Sequence, residues 1–214
     1  MKKILITAGP TREAIDPVRF ITNHSSGKMG YALTAAAVKM GFQVTLVSGP
    51  VNITPPDGLT EFVQIISAAD MAEAVKSRFQ DMDTVIMCAA VADYRPIAYS
   101  SSKIKKSDGQ FFLELERTED ILLTLGKQKK PGQTLIGFAA ETDNLVQYAQ
   151  EKLRKKNLDW IVANQVGKPG QGFQADNNAV TLYSAGGNAP IEIPLCAKSL
   201  LAEKILQNIF PEKF

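Results

Sequence analysis

The sequence predicts an α/β fold built on a doubly wound, mostly parallel sheet, and three observations predict it. Short β-branched runs alternate with stretches of helical periodicity along most of the 214 residues. The first run, Ile4-Leu5-Ile6, leads through a long polar loop into a helix, the opening βα step of an open sheet. No internal repeat, low-complexity tract or linker divides the chain, so one domain over residues 1–214 is expected. Taken in order, residues 4–6 form a buried strand, and residues 31–40 a helix of small residues that stops at Gly41. Further strands are expected over 43–47, 60–65, 83–88, 111–115, 134–138, 159–163 and 179–183, where β-branched or aromatic runs are bounded by turn residues. Helices are expected over 69–79, 119–127, 144–156 and 199–209, and Thr118 before Glu119 and Asp120 reads as a cap with acids in the first turn. Two stretches depart from the alternation. Residues 95–117, with Lys103-Ile104-Lys105-Lys106 and the alternating segment 111–116, read as a projecting flap, and residues 168–190 as a loop feeding a late hairpin.

The loop before the first helix carries the strongest chemical signal. Ser25, Ser26, Gly27 and Gly30 sit where the free N–H groups and the positive dipole end of that helix face the crevice at the strand ends, a place suited to phosphate. A P-loop does not fit, because Thr22 stands where its first glycine belongs and Met29 where its hydroxyl belongs. A dinucleotide fingerprint fits poorly. Ser25 replaces its first glycine, and the strand over 43–47 runs into Ser48-Gly49-Pro50 rather than an acid for the ribose hydroxyls.

Composition narrows the classes further. A formal net charge of +2 is too small to imply non-specific binding to nucleic acid or membrane. The two cysteines, Cys88 and Cys196, lie far apart without CxxC spacing, which argues against a disulfide framework and for a reducing cytoplasm. No apolar run approaches the roughly eighteen residues that a membrane span requires. His24 is the single histidine, so His-rich metal sites are excluded and a Ser/His/Asp site would rest on one loop residue.

Ligands in open α/β sheets bind beyond the carboxyl ends of the strands. There the chain places Ala89-Ala90-Val91-Ala92-Asp93, Gly137-Phe138-Ala139-Ala140-Glu141 and Ala163-Asn164, small residues that allow close backbone approach, followed by polar ones. Three such ends on one rim point to a shared pocket. Lys103, Lys105 and Lys106 suit a solvated edge as well as a phosphate site, and Lys152 and Lys156 share one helix face.

Gly9-Pro-Thr-Arg-Glu13, Asp16-Pro-Val-Arg19, Asn23-His-Ser-Ser-Gly-Lys-Met-Gly30, Ala89-Ala-Val-Ala-Asp-Tyr94, Lys103-Ile-Lys-Lys106, Gly137-Phe-Ala-Ala-Glu-Thr142 and Asp176-Asn-Asn178 together resemble the phosphopantothenoylcysteine synthetase family over nearly the whole chain. The resemblance implies a Rossmann-like sheet whose flap and late hairpin serve dimerisation and active-site closure, in a free-standing form without a decarboxylase half. It implies a ligase that joins 4′-phosphopantothenate and L-cysteine through an acyl-cytidylate formed from CTP with Mg²⁺, working as a homodimer. Carried over position by position, Met87, Cys88 and Ala89 line the cytidine pocket by backbone contacts with Asp93 nearby. Phe138, Lys152 and Lys156 contact the nucleotide, Lys103 neutralises the triphosphate, and Asn23, supported by Arg19, holds the acyl intermediate. To these the residue-level reading adds Ser25, Ser26 and Gly27 as a phosphate grip; the metal ligands are unassigned. The family's Asn-Pro-Asp-Ile segment is Thr118-Glu119-Asp120-Ile121 here, so side-chain contacts from Thr118 and Glu119 are not implied. An NAD(P)-dependent oxidoreductase and a non-catalytic nucleotide-binding subunit are the competing classes.

Overall fold

The computed structural model describes residues 2–106, 108–141, 145–165 and 174–213, leaving aside the side chains of 140, 141, 145, 165 and 213. In chain order, β1 (Lys3–Ala8), β2 (Arg12–Ala14) and β3 (Phe20–Thr22) precede α1 (Lys28–Lys39). β4 (Gln43–Ser48) and β5 (Glu61–Gln64) precede α2 (Ala68–Phe79). β6 (Thr84–Met87), β7 (Tyr94–Pro96) and β8 (Leu115–Arg117) precede α3 (Ile121–Gln128), and β9 (Thr134–Glu141) precedes α4 (Leu145–Lys155). β10 (Trp160–Gln165), β11 (Asn177–Ser184) and β12 (Ile191–Ala197) then lead into α5 (Lys198–Ile209) and a short 3-10 turn, Pro211–Lys213.

Eight strands form one sheet in the order β12-β11-β10-β9-β6-β1-β4-β5. Every pairing from β10 to β5 is parallel, and β11 alone runs the other way, antiparallel to both β10 and β12. Continuous apolar runs such as Ile4-Leu5-Ile6 are buried on both faces, as a parallel sheet covered by helices requires. Successive side chains of β1 accordingly enter different cores. Leu5 packs with α2, α3 and α4 through Met71, Leu125 and Leu153. Ile4 and Ile6 pack with α1 and α5 through Leu33 and Leu201. The doubly wound, mostly parallel α/β architecture is therefore present. Among the described residues no helix is long and apolar enough to cross a membrane.

Four local expectations are corrected. The long polar loop contains a hairpin, with β2 antiparallel to β3 and Arg12 stacked 4.6 Å over the Phe20 ring, a pairing between runs too short to show periodicity. α1 starts at Lys28 rather than Tyr31, because Gly27 adopts φ 80° and turns the chain into the helix early. The strand expected over 111–115 shrinks to β8, which pairs only with β7. The last ladder contact is the Ile97 N–H donating to the Glu114 carbonyl at 3.1 Å, and Phe111 and Phe112 beyond it are left exposed. β12, over which no strand is expected from the sequence, completes the late hairpin with β11 and contains Pro194. It survives as an edge beside a register shift between Asn178 and Val180, where proline is tolerated. The stretch 166–173, at the start of the expected late loop, lies outside the described residues.

One contact between layers fixes where the end of α4 sits. Gly126 of α3 approaches so closely that a Cβ there would lie 1.9 Å from the Lys156 carbonyl oxygen, and the Asn157 side chain donates to the Gly126 carbonyl at 2.8 Å. Gly126→Ala must push α3 away from α4 and is expected to cost about 1–3 kcal/mol, the range for overpacking. Thermal melts should show a clear drop in Tm, while Gly186→Ala, with no neighbour closer than 3.8 Å, should melt like the unmodified protein.

Candidate active site

The carboxyl ends of β6, β9 and β10 open onto a cavity of about 840 Å³. Behind its floor stands Thr7, the buried penultimate residue of β1. The Thr7 hydroxyl accepts the N–H groups of both Cys88 and Ala89 at 3.1 Å, so the chain leaving β6 is bound to the end of β1. The stitching continues along the same segment. Ala90 N–H donates to the Gly9 carbonyl at 2.9 Å, Ala92 N–H to the Thr11 hydroxyl at 3.0 Å, and the Thr118 hydroxyl to the Ala92 carbonyl at 2.6 Å. Asn23 joins this segment by donating its side-chain N–H to the Ala90 carbonyl at 3.0 Å, which leaves its amide oxygen as an acceptor.

One wall comes from the layer of α1 and α5. Gly30 brings α1 against β1, since a Cβ on it would lie 2.5 Å from that of Ala8. No side chain caps the first turn of α1 or of α5, neither turn holds an acid, and each begins with a lysine, Lys28 and Lys198. A lysine in a first turn opposes the helix dipole, so two of them on one cavity wall add cationic charge to helix ends already suited to anions. Lys28 donates to the Gln174 carbonyl at 3.0 Å and pairs with Asp176 at 2.5 Å, holding that carboxyl below its usual range. Lys198 is only 6% exposed. Burial, and then Lys28, push its ammonium below the usual lysine range, against the opposing pull of Cys88 and Asp176. Burial also pushes the Cys88 thiol up to about 12, so it stays a neutral thiol and is no nucleophile near neutral pH.

The other wall comes from the layer of α3 and α4. Asp120 caps α3 by accepting the Leu123 N–H at 3.0 Å and binds Lys156 through both oxygens at 3.0 and 2.9 Å. Glu119 is drawn away to Lys76 at 2.6 Å and the Thr124 hydroxyl at 2.9 Å, and Lys76 holds its carboxyl below the usual range.

Of the residues singled out from the sequence, Asn23, Ser25, Gly27, Met87, Cys88, Ala89, Asp93, Phe138 and Lys156 line this one cavity. Arg19, Ser26, Lys103 and Lys152 are not on its wall. Arg19 instead pairs with Asp16 and donates to the Ile104 carbonyl at 3.1 Å. The N–H groups of Cys88 and Ala89 are spent on Thr7, so a ligand that meets this turn through the main chain meets carbonyl acceptors. Within the Ser25–Gly27 grip, Gly27 N–H donates to the Ser25 hydroxyl at 3.3 Å. Ser48 occupies the position where an NAD site needs an acid, and its hydroxyl accepts from Tyr31 at 3.1 Å. Sequence reasoning missed Lys28 and Lys198; the available signal was a lysine opening a helix whose first turn has no acid.

Comparison with known proteins agrees with this geometry. The model of the family described as the DNA/pantothenate metabolism flavoprotein C-terminal domain matches residues 1–212. The coenzyme A biosynthesis bifunctional protein CoaBC of Bacillus subtilis strain 168 is 54% identical over 208 residues, covering 97% of this chain and 51% of that protein. The chain thus spans about half the length of that relative. A crystal structure of the C-terminal domain of a CoaBC protein superposes with a TM-score of 0.83 at 51% identity, over 99% of this chain and 95% of that one. A Cab2 mutant in complex with phosphopantothenate-cysteine shares the fold at 18% identity, with a TM-score of 0.82 over 99% of this chain and 86% of that one. With its cavity at the sheet's carboxyl edge and this match from end to end, the chain belongs to the DNA/pantothenate metabolism flavoprotein C-terminal domain family.

Proposed function

We propose that this chain is a phosphopantothenate–cysteine ligase that activates its acid with CTP. The observation that carries the reading is one cavity in which Asn23 and Asp93 lie between cationic groups from both helix layers, in a chain 54% identical to a coenzyme A biosynthesis protein. In the reaction, a carboxylate oxygen of 4′-phosphopantothenate attacks the α-phosphorus of CTP and pyrophosphate leaves, giving the acyl-cytidylate. The amine of L-cysteine then attacks the acyl carbon, loses a proton, and CMP leaves as the amide forms. Such chemistry asks the protein for positioning and charge neutralisation rather than a nucleophile, and the neutral Cys88 thiol agrees with that demand.

In this reading the first turn of α1, with Lys28 and Lys198, takes phosphate oxygens, and Lys156, fixed by Asp120, meets the nucleotide from the opposite wall. The carbonyl groups of the turn at Cys88 and Ala89 accept from the amino group of cytosine, which uracil lacks. Among the described residues no group of three potential metal ligands is assembled. That donor set fits Mg²⁺ held chiefly by the triphosphate, with Asp93 as a protein ligand, since Glu119 and Asp120 are engaged in ion pairs. The ion would draw charge from the phosphates and orient them.

The proposal includes a homodimer. Val18, Phe20, Tyr94, Ile97, Tyr99 and Phe112 are 45–79% exposed, and they sit on the two small sheets, which touch through β2 and β7, and on the adjoining flap. An apolar surface of this kind suits a partner, and a second copy would bring its own Lys103 and Arg19 to the edge of this cavity.

Pyrophosphate release should require CTP and 4′-phosphopantothenate but not cysteine, and UTP should support it poorly because the carbonyl acceptors go unpaired. Equal rates with all four nucleotides would remove the role given to the turn. Asn23→Ala should separate the half-reactions, because a neutral amide acts on the acyl group and the incoming amine rather than on departing pyrophosphate. A burst of about one pyrophosphate per site, with acyl-cytidylate detectable by mass spectrometry and slow amide formation, is expected; equal loss of both steps would count against it. If the site is shared between copies, mixing and refolding the impaired Asn23→Ala and Lys103→Gln chains should restore amide formation to a rate that neither reaches alone. Failure to complement would place both residues in the site of one chain.

A further inference from the structure

Asp16 lies in the turn between β2 and β3, and its carboxylate has no exposed surface. A buried carboxylate needs its oxygens filled, and here the donors come from two distant stretches of chain. From its own turn Asp16 accepts the N–H groups of Val18 and Arg19 at 2.9 Å each and the Arg19 guanidinium at 3.0 Å. From the flap it accepts the N–H of Ile104 at 3.1 Å. Arg19 closes the ring by donating to the carbonyl of the same Ile104 at 3.1 Å. Both main-chain groups of the residue following Lys103 are thus bound by one acid–base pair. A further tie, from Ser100 N–H to the Ile15 carbonyl at 3.0 Å, holds the start of the same flap segment to the same turn.

We propose that Asp16 is a positioning residue that joins Arg19 and Lys103 into one cationic unit, so that the guanidinium and the ammonium reach the substrates together and at a fixed spacing. The inference rests on the reading above in what the unit acts upon, though not in how it is held. Arg19 and Lys103 both stand off the cavity wall of their own chain, so the pair meets the anionic substrates as a block when a second copy closes the site. Fixing two charges on one support removes the need to order two independent long side chains during the reaction. The hydrogen bond from Arg19 holds the Asp16 carboxyl well below the usual carboxylate range. Because the folded-state value is depressed, the clamp is complete at neutral pH and above, and it is lost only as pH falls through that lowered value.

The test is a mutant cycle in the full chain: Asp16→Asn, Lys103→Gln and the double variant, with circular dichroism to confirm folding. Asp16→Asn should speed amide exchange over the segment containing Ile104, whereas Lys103→Gln should leave that exchange unchanged. Pyrophosphate release should fall about 10- to 100-fold in Asp16→Asn, the order seen when a reacting group is misplaced. In the double variant the loss should be clearly smaller than the product of the single losses. If Asp16→Asn does not fold, Ile104→Pro removes the flap's N–H donor to Asp16 and is read from the amide exchange of Lys103 and Lys105. Unchanged exchange at Ile104, or losses that multiply, would overturn the proposal. Should the unmodified protein release no pyrophosphate from CTP and 4′-phosphopantothenate, the functional reading fails while the exchange measurement still decides whether Asp16 holds the flap.

Discussion

The hydroxyl of Thr7 is the point from which the cavity is built. β1 and β6 are parallel neighbours, so both chains leave the sheet at the same edge, and the N–H groups just beyond β6 have lost their ladder partners. Burying two such donors unpaired would cost on the order of 2–6 kcal/mol together. One buried side-chain oxygen satisfies both and pins the turn against β1. Asn23, Thr11 and Thr118 attach themselves to the same segment a few residues further on, through the groups at Ala90 and Ala92. The floor is thereby rigid before any ligand arrives, which an electrostatic site requires if it is not to spend binding energy on reorganisation.

Charge in the cavity is divided between the two helix layers. The α1/α5 side supplies cations from helix starts, where the dipole already favours anions, and the α3/α4 side supplies Lys156 beside its own carboxylate. Lys28 and Lys198 both lie near Asp176, and burial, then the charge of Lys28, makes the Lys198 proton easier to lose. On the proposed reading, a phosphate placed beside them would favour the charged form of Lys198 again. Lys156 behaves differently. Paired with both oxygens of Asp120, itself tied to the start of α3, its ammonium is anchored in place.

The flap belongs to the same scheme although it stands apart from the cavity. The turn between β2 and β3, absent from any periodicity argument, gives the flap its anchor through Asp16 and Arg19. The same hairpin reaches the core by Glu13, whose buried carboxylate accepts the first N–H of α2 at 2.9 Å. A hairpin three residues long on each side is marginal alone. Here it is held at one end to a core helix and at the other to the flap.

The sequence by itself determined the α/β class, the central strands and most helices, because continuous apolar runs and helical spacing report burial on two faces or one stripe without knowledge of neighbours. It also pointed to the Asn23–Gly30 loop and the Ala89–Asp93 turn, which the structure brings to one cavity, since glycines and small residues after strands are local facts. Only the tertiary structure decided what depends on partners distant in the chain. It spent the N–H groups of Cys88 and Ala89 on Thr7, placed Arg19 with Asp16 and the flap rather than on the cavity wall, and brought Lys28 and Lys198 onto one wall. It also shortened the expected 111–115 strand, because β7 offers only Tyr94–Pro96 to pair with. Hydrogen bonds and charges act over a few ångströms, and sequence separation says nothing of that distance: Ile104 donates its N–H to Asp16, 88 positions away, a bond that neither neighbourhood reveals.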